Sequence, residues 1–257
     1  MIFDLDGTPP DIGFPDPALA EREPNGLLAI GGDLSVERIM NAYHQGIFPW
    51  YGAGQPILWW SPAPRMVLHP AEFHASRSLR RSLRRRGYEV SVDQAFEPVI
   101  RSCAERRGDQ PGTWLLPEMI DAYAALHASG HAHSVEVWLD SELAGGLYGI
   151  VVGQVFFGES MFSRHTDASK VALAHLAEIA LEQPFELIDC QIHTGHLARL
   201  GARELDREVF RQALASAVSR PSAGLGRQAR RPAADSRWAR VSDAGERLVS
   251  GDARSGP

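Results

Sequence analysis

The densest grouping of reactive side chains runs Phe157-Gly158-Glu159-Ser160-Met161-Phe162-Ser163-Arg164 and continues through Asp167-Ala168-Ser169-Lys170. A strand that ends in Glu, Ser and Arg and then enters a helix N-terminus builds a pocket with one carboxylate and a set of amide donors. A second stretch, Leu187-Ile188-Asp189-Cys190-Gln191, reads as a short strand, and a period of two sets Asp189 and Gln191 on one face. A carboxylate beside a carboxamide can orient an amine and accept its proton. An aspartate at a strand end is also an ordinary cap or ion-pair partner, so this chemistry needs support from the rest of the chain.

Three other groupings compete with it. Residues 74–88 hold Arg77, Arg80, Arg81, Arg84, Arg85 and Arg86 and no acid, a local basic patch that points to a polyanion or phosphate partner. Trp50, Trp59, Trp60, Trp114 and Tyr51 stand in loops or at element ends, where aromatic rings can stack bases. For Trp59 and Trp60 the alternative is that they pin a small N-terminal unit to the larger one. His131-x-His133 and Cys190-x-x-His193-x-x-His196 have metal-ligand spacings, but histidines before a strand or at a helix start are commonly polar caps. The start, Asp4-Leu5-Asp6-Gly7-Thr8, imitates a phosphatase aspartate loop, but it lacks the strand before it and the paired acids after a lysine that such an enzyme needs. Of 26 basic residues only Lys170 is a lysine, which marks a spot where a planar guanidinium does not serve.

The elements that position these residues follow from periodicity. An extended, Pro- and Gly-rich arm over 7–27 leads to a short helix with Ser35 as N-cap, Glu37 in its first turn and Gly46 as its stop. The arginine run lies on a helix over 75–86 with Leu79 and Leu83 buried, followed by a strand near 88–92. A helix over 93–107, capped by Asp93, and another over 117–129 come next. Residues 132–163 then alternate as a three-stranded antiparallel meander. A helix over 168–182, the strand 187–191 and helices over 194–201 and 206–217 complete the pattern. The class is α+β, with helices packed on a central, mostly antiparallel sheet. The expected domains are a small N-terminal one with its arm (1–62), a larger one (63–217) and a disordered tail (218–257) in which apolar periodicity is lost.

Composition bounds the function. The 257 residues are 44% hydrophobic and 23% charged, which is globular and excludes fibrous or wholly disordered chains. No run approaches the roughly 18 apolar residues of a membrane helix. Two cysteines, Cys103 and Cys190, make no disulfide framework, and the acidic N-terminus is no secretory signal, so a cytoplasmic protein is expected. The net charge of −6 conceals an asymmetry, since residues 1–62 hold eight acids against Arg22 and Arg38.

A set of blocks then resembles one family. Gly31-Gly32-Asp33-Leu34-Ser35, Gly46-Ile47-Phe48-Pro49-Trp50, Ile57-Leu58-Trp59-Trp60-Ser61-Pro62 and Gly112-Thr113-Trp114 are similar, in order, to the leucyl/phenylalanyl-tRNA–protein transferases. So are His131-Ala132-His133-Ser134-Val135-Glu136, Gly145-Gly146-Leu147-Tyr148-Gly149, Gly158-Glu159-Ser160-Met161-Phe162-Ser163 and Leu187-Ile188-Asp189-Cys190-Gln191. The likeness covers about residues 14–212. It implies a GNAT-like acyltransferase domain and transfer of Leu or Phe, and also Met, from aminoacyl-tRNA to the N-terminal Arg or Lys of acceptor proteins, which marks them for N-end rule degradation. It implies a monomer without metal or cofactor, with no DNA or membrane partner. It also implies roles: Asp189 orients Gln191 on the attacking amine, Glu159 holds the acceptor's N-terminus, and Trp50 and Trp114, with Tyr43 and Tyr123 nearby, flank the donor's 3′-adenosine. Leu147 and Phe156 are expected to wall the donor side-chain pocket, and Arg77, Arg80, Arg81, Arg84 and Arg85 to track tRNA phosphates. One departure from ordinary GNAT enzymes fits a tRNA donor. Asp167, in Arg164-His165-Thr166-Asp167-Ala168-Ser169, occupies a position where CoA-binding loops need glycine, and it would crowd and repel a pyrophosphate. The rivals are a CoA-dependent N-acetyltransferase and an RNA-binding module without catalysis.

Overall fold

A computed structural model describes residues 2–105, 115–221 and 224–240. The N-terminal sheet comprises β1 (Phe3–Asp4), β2 (Leu27–Ile30), β3 (Phe48–Pro49) and β4 (Leu58–Trp60), in the order β1-β2-β4-β3. Between β2 and β3 runs α1 (Val36–Tyr43), where Ser35 accepts the Arg38 amide as the expected N-cap. The phosphatase-like start is an edge strand here, stitched down by the Gly32 amide donating to Asp6.

The second sheet has eight strands: β5 (Arg65–Leu68), β6 (Glu89–Val92), β7 (Ala132–Leu139), β8 (Glu142–Val152), β9 (Val155–Ser163), β10 (Leu187–Gln191), β11 (Arg203–Leu205) and β12 (Gln228–Pro232). Their order is β11-β5-β10-β9-β8-β7-β6-β12. Among the described strands of this sheet only β9 and β10 pair in parallel, and α5 (Ala168–Glu182) makes the crossover that a parallel pair requires. The meander β7-β8-β9 matches the alternation in the sequence, so the expected α+β class with a mostly antiparallel sheet is the one found.

Alternation on the strands divides the interior into two cores. On one face, Leu147, Val151 and Phe156 pack against α5. On the other, Tyr148, Ile150 and Phe157 meet α3 (Phe96–Ala104), α4 (Pro117–Ala128) and the N-terminal residues Ile39, Tyr43 and Trp59. The first sheet ends at Trp60 and the second begins at Arg65, yet the units on either side share that core. Gly149 sits where β8 passes closest to β9, and a Cβ there would lie 2.1 Å from the Phe157 carbonyl oxygen. Among the described residues no helix is long and apolar enough to cross a membrane.

Two expectations need correction. Asp93 does not cap α3. It has a positive φ of 55° and its carboxylate accepts the Ser134 amide and meets His133 Nδ1 on β7. The open amides before α3 turn instead to the buried Glu136 of β7, at 3.4 Å from Gln94 and 3.3 Å from Ala95. A helix start needs an acceptor for its unpaired N–H groups, and a neighbouring strand supplies it as well as the adjacent residue would. The tail is the second correction. Residues 224–240 form β12, which pairs with β6, and α8 (Arg237–Arg240). Backbone pairing along an open strand edge does not depend on apolar periodicity. Of the apolar residues there, Leu225, Ala233 and Ala239 are buried, and Trp238 packs 5.0 Å from Phe73.

Arg65 joins these parts. It is fully buried at the start of β5, and Nε and Nη2 clasp both Asp189 oxygens at 2.9, 3.2 and 2.6 Å. Its guanidinium carbon lies 4.9 Å from the ring centres of both Phe48 on β3 and Phe210 on α7 (Arg207–Val218). Removing one partner of a buried pair strands the other charge. Arg65→Met is therefore expected to lower stability by about 3–5 kcal/mol, and adding Asp189→Leu to restore much of that, as urea unfolding of the three proteins measures.

Candidate active site

A cavity of about 630 Å³ is walled by β8, β9, β10, α5 and α6 (Gly195–Ala198), with β3 on its rim. Its apolar wall includes Leu147, Phe156, Leu173, Leu176 and Ile188. Glu159 and Gln191 line the same cavity. Trp50 and Ile192 stand at its edge, 41% and 47% exposed, among few large apolar side chains left in solvent. The place predicted for the donor side chain, Leu147 and Phe156, thus belongs to the same space as the predicted polar groups.

Glu159 is the centre of the polar wall. Tyr43 donates to Oε1 at 2.7 Å, Tyr123 to Oε2 at 2.7 Å, and Gln191 Nε2 to Oε1 at 3.1 Å. The two tyrosine oxygens are themselves 2.9 Å apart. With Glu159 ionised, each hydroxyl spends its one hydrogen on the carboxylate, and no hydrogen remains between the tyrosines. A proton on Glu159 supplies the third donor, and the three contacts close into a ring. Burial pushes the carboxyl up, the tyrosine hydrogen bonds hold it down and Asp189 adds to the rise, leaving it at about 7. Burial, with Glu159 adjacent, keeps both tyrosines well above their usual range, so they remain protonated donors.

Asp189 and Gln191 meet in a different way from the one that a regular strand predicts. The register breaks between them, and Gln191 adopts a left-handed φ of 57°. Ile188 and Cys190 face the cavity as alternation requires, and Asp189 points away to Arg65. The bulge turns Gln191 back into the cavity, where a regular strand would have hidden it. Asp189 Oδ1 accepts the Gln191 amide at 2.9 Å and so holds this unfavourable conformation, which costs on the order of 1–3 kcal/mol. The carboxylate of Asp189 is buried with both oxygens engaged.

The remaining predicted residues fall in several places. Tyr43 and Tyr123 are fully buried behind Glu159, so in this conformation they offer no ring face for an adenine and position the carboxylate instead. Trp50 is exposed, and Trp60 holds it by an Nε1 bond to its carbonyl at 2.6 Å and an edge contact at 5.8 Å. Trp59 is core, with Nε1 bonded to Gly31. Trp114 lies outside the described residues. On α2 (Arg77–Arg85), Arg77, Arg81, Arg84 and Arg85 are exposed and share one face, but Arg80 is buried, so it does not belong to a phosphate-facing row. Lys170 pairs with Asp167 at 2.8 Å, and Asp167, at a φ of 66°, also accepts the Ser82 hydroxyl. Burial pushes the Cys190 thiol far up, which leaves it protonated and a poor nucleophile.

Arg65 was missed as a site residue. Its signal was a single charge heading the apolar run Met66-Val67-Leu68, since a buried strand that carries an arginine needs a carboxylate across the sheet. Nothing local in the sequence links it to Asp189, 124 positions away.

Comparison with known proteins agrees with the geometry. The family model described as leucyl/phenylalanyl-tRNA protein transferase matches residues 67–215, and that of the same family's N-terminal domain matches 32–63. The leucyl/phenylalanyl-tRNA–protein transferase of Chromobacterium violaceum is 56% identical over 212 residues, 82% of this chain and 91% of that one. That of Nitrosospira multiformis is 58% identical over 206 residues, 80% and 89% of the two chains. Among solved structures, a GCN5-related N-acetyltransferase from Kribbella flavida is similar at a TM-score of 0.33 and 12% identity, covering 64% of this chain and 58% of that one. The chain belongs to the leucyl/phenylalanyl-tRNA–protein transferase family.

Proposed function

We propose that the protein transfers leucine or phenylalanine, and also methionine, from aminoacyl-tRNA to the N-terminal Arg or Lys of acceptor proteins, marking them for N-end rule degradation. The observation that carries this reading is a titratable carboxyl and a carboxamide, Glu159 and Gln191, set on the wall of an apolar cavity large enough for such side chains. The donor ester is already activated, so the chemistry asks for placement of an amine against a carbonyl and for a route for one proton.

In this reading Glu159 receives the acceptor's α-ammonium, whose reference pKa of about 7.7–8.0 lies close to its own. The free Oε1 of Gln191 faces the amine, because its Nε2 is occupied by Glu159. The ammonium first releases one proton to solvent; as the neutral nitrogen attacks, the C–N bond forms, the bond from carbon to the ribose 3′-oxygen breaks, and the second proton lost by nitrogen passes by way of Glu159 to that oxygen. Asp189 acts through Gln191 as a positioning residue, since its oxygens are engaged with Arg65 and the Gln191 amide. Trp50 and Trp114 flank the terminal adenosine.

Incubation with radiolabelled leucyl-tRNA and a peptide beginning with Arg tests the reading. Label in the peptide supports it, and tRNA binding without any transfer overturns it. A carboxyl at about 7 is ionised above that pH, so transfer is expected to fall as pH drops through 7. In Glu159→Gln kcat should fall on the order of 10²–10⁴-fold, and the acid limb that remains should be that of the acceptor amine alone, at about 7.7–8.0; pH profiles of both proteins check this. Leu147→Ala enlarges the donor slot and should raise the rate ratio of phenylalanine to leucine, measured with the two charged tRNAs, by up to the 10–200-fold that roughly 1–3 kcal/mol of packing allows.

A further inference from the structure

Residues 224–240 hold five arginines, Arg227, Arg230, Arg231, Arg237 and Arg240, against the single acid Asp235, in a chain of net charge −6. This segment lies beyond the residues matched by the family models. It is anchored from its inner side. The Ala233 amide donates to the Tyr88 carbonyl at 2.7 Å, and Trp238 Nε1 to the Ala174 carbonyl at 3.0 Å. Glu178 on α5 accepts the Arg237 amide at 2.8 Å and pairs with Arg231 at 3.4 Å. Burial opposes that carboxylate's charge, but hydrogen bonds from His175, Arg237 and Ser236 outweigh it and hold its pKa at about 2, so the anchor is ionised at neutral pH.

The anchoring leaves most of the positive charge outside. Arg227, Arg230, Arg237 and Arg240 are exposed. The segment also has a defined place, because α8 packs on α2, where Arg84 Nη1 donates to the Ala239 carbonyl at 3.0 Å. Arg84 is thereby committed to docking the segment. The helix that it docks, α8, carries Arg237 and Arg240 and packs on α2, which carries Arg81 and Arg85. Gathering like charges on two packed helices is unfavourable unless a polyanion meets them, and guanidinium groups match phosphate oxygens in pairs.

We infer that α8 and α2 form one phosphate-binding surface, and that its partner is the stem of the tRNA donor. The inference rests on the aminoacyl-tRNA reading above. Binding of uncharged leucine tRNA over a series of KCl concentrations tests it, in Arg237→Gln/Arg240→Gln and, in parallel, Arg81→Gln/Arg85→Gln. Each phosphate contact contributes about 0.7–0.9 to the slope of log K against log salt. Both double variants should therefore bind several-fold more weakly with a slope shallower by about 1–2, while Arg237→Lys/Arg240→Lys keeps the slope. An unchanged slope in the α8 glutamine variant alone overturns the inference and leaves the α2 reading standing. Unchanged slopes in both variants overturn the two together. An equal loss in the lysine variant means that these arginines act by packing, which also overturns it.

Discussion

A buried arginine clasped by a buried aspartate is the interaction on which the rest of this structure depends. Arg65 and Asp189 lie on adjacent antiparallel strands, with Phe48 of the N-terminal sheet and Phe210 of α7 against the guanidinium. One contact therefore ties together both sheets and α7. Buried ion pairs are poor sources of net stability, because desolvation offsets the attraction, but they are demanding about geometry. Here that demand is passed along the chain. The guanidinium fixes Asp189, Asp189 holds the Gln191 amide in a left-handed turn, and the turn presents the Gln191 side chain to Glu159.

The site at the end of that relay is kept close to neutrality by its proton inventory. Two tyrosine hydroxyls serve three oxygen contacts when Glu159 is ionised, and a proton completes the set. Such a carboxyl can exchange a proton with an amine without a large change in energy, which is the matching that acid–base catalysis requires. The tyrosines come from α1 and α4, two helices packed on the same face of the central sheet. Site and core are thus one construction, and the small N-terminal unit is a structural part of the wall that holds Glu159.

Specificity and charge are segregated in space. The cavity is walled largely by apolar side chains such as Leu147, Phe156, Leu173, Leu176 and Ile188, and in the proposed reading it sorts donors mainly by shape, a coarse filter. The arginines lie elsewhere, on α2 and α8, the surface proposed to meet phosphates by charge.

The sequence by itself determined the elements and the family. Alternation fixed the meander, helical spacing fixed α1, α2, α4 and α5, and the blocks around Gly158-Glu159-Ser160 and Asp189-Cys190-Gln191 pointed to the family. These signals are local, set by backbone period and residue type. Tertiary structure alone decided which groups meet. Tyr43 and Tyr123 belong behind Glu159 because separate helices bring their hydroxyls together, and Gln191 joins them because a bulge after Asp189 turns it back against the alternation. Glu136 caps a helix it does not precede, Arg80 turns inward from its basic row, and a segment without apolar period folds by pairing with the open edge of β6. Each outcome depends on a partner distant in sequence, and pairwise contact across the fold leaves no local pattern from which it can be read.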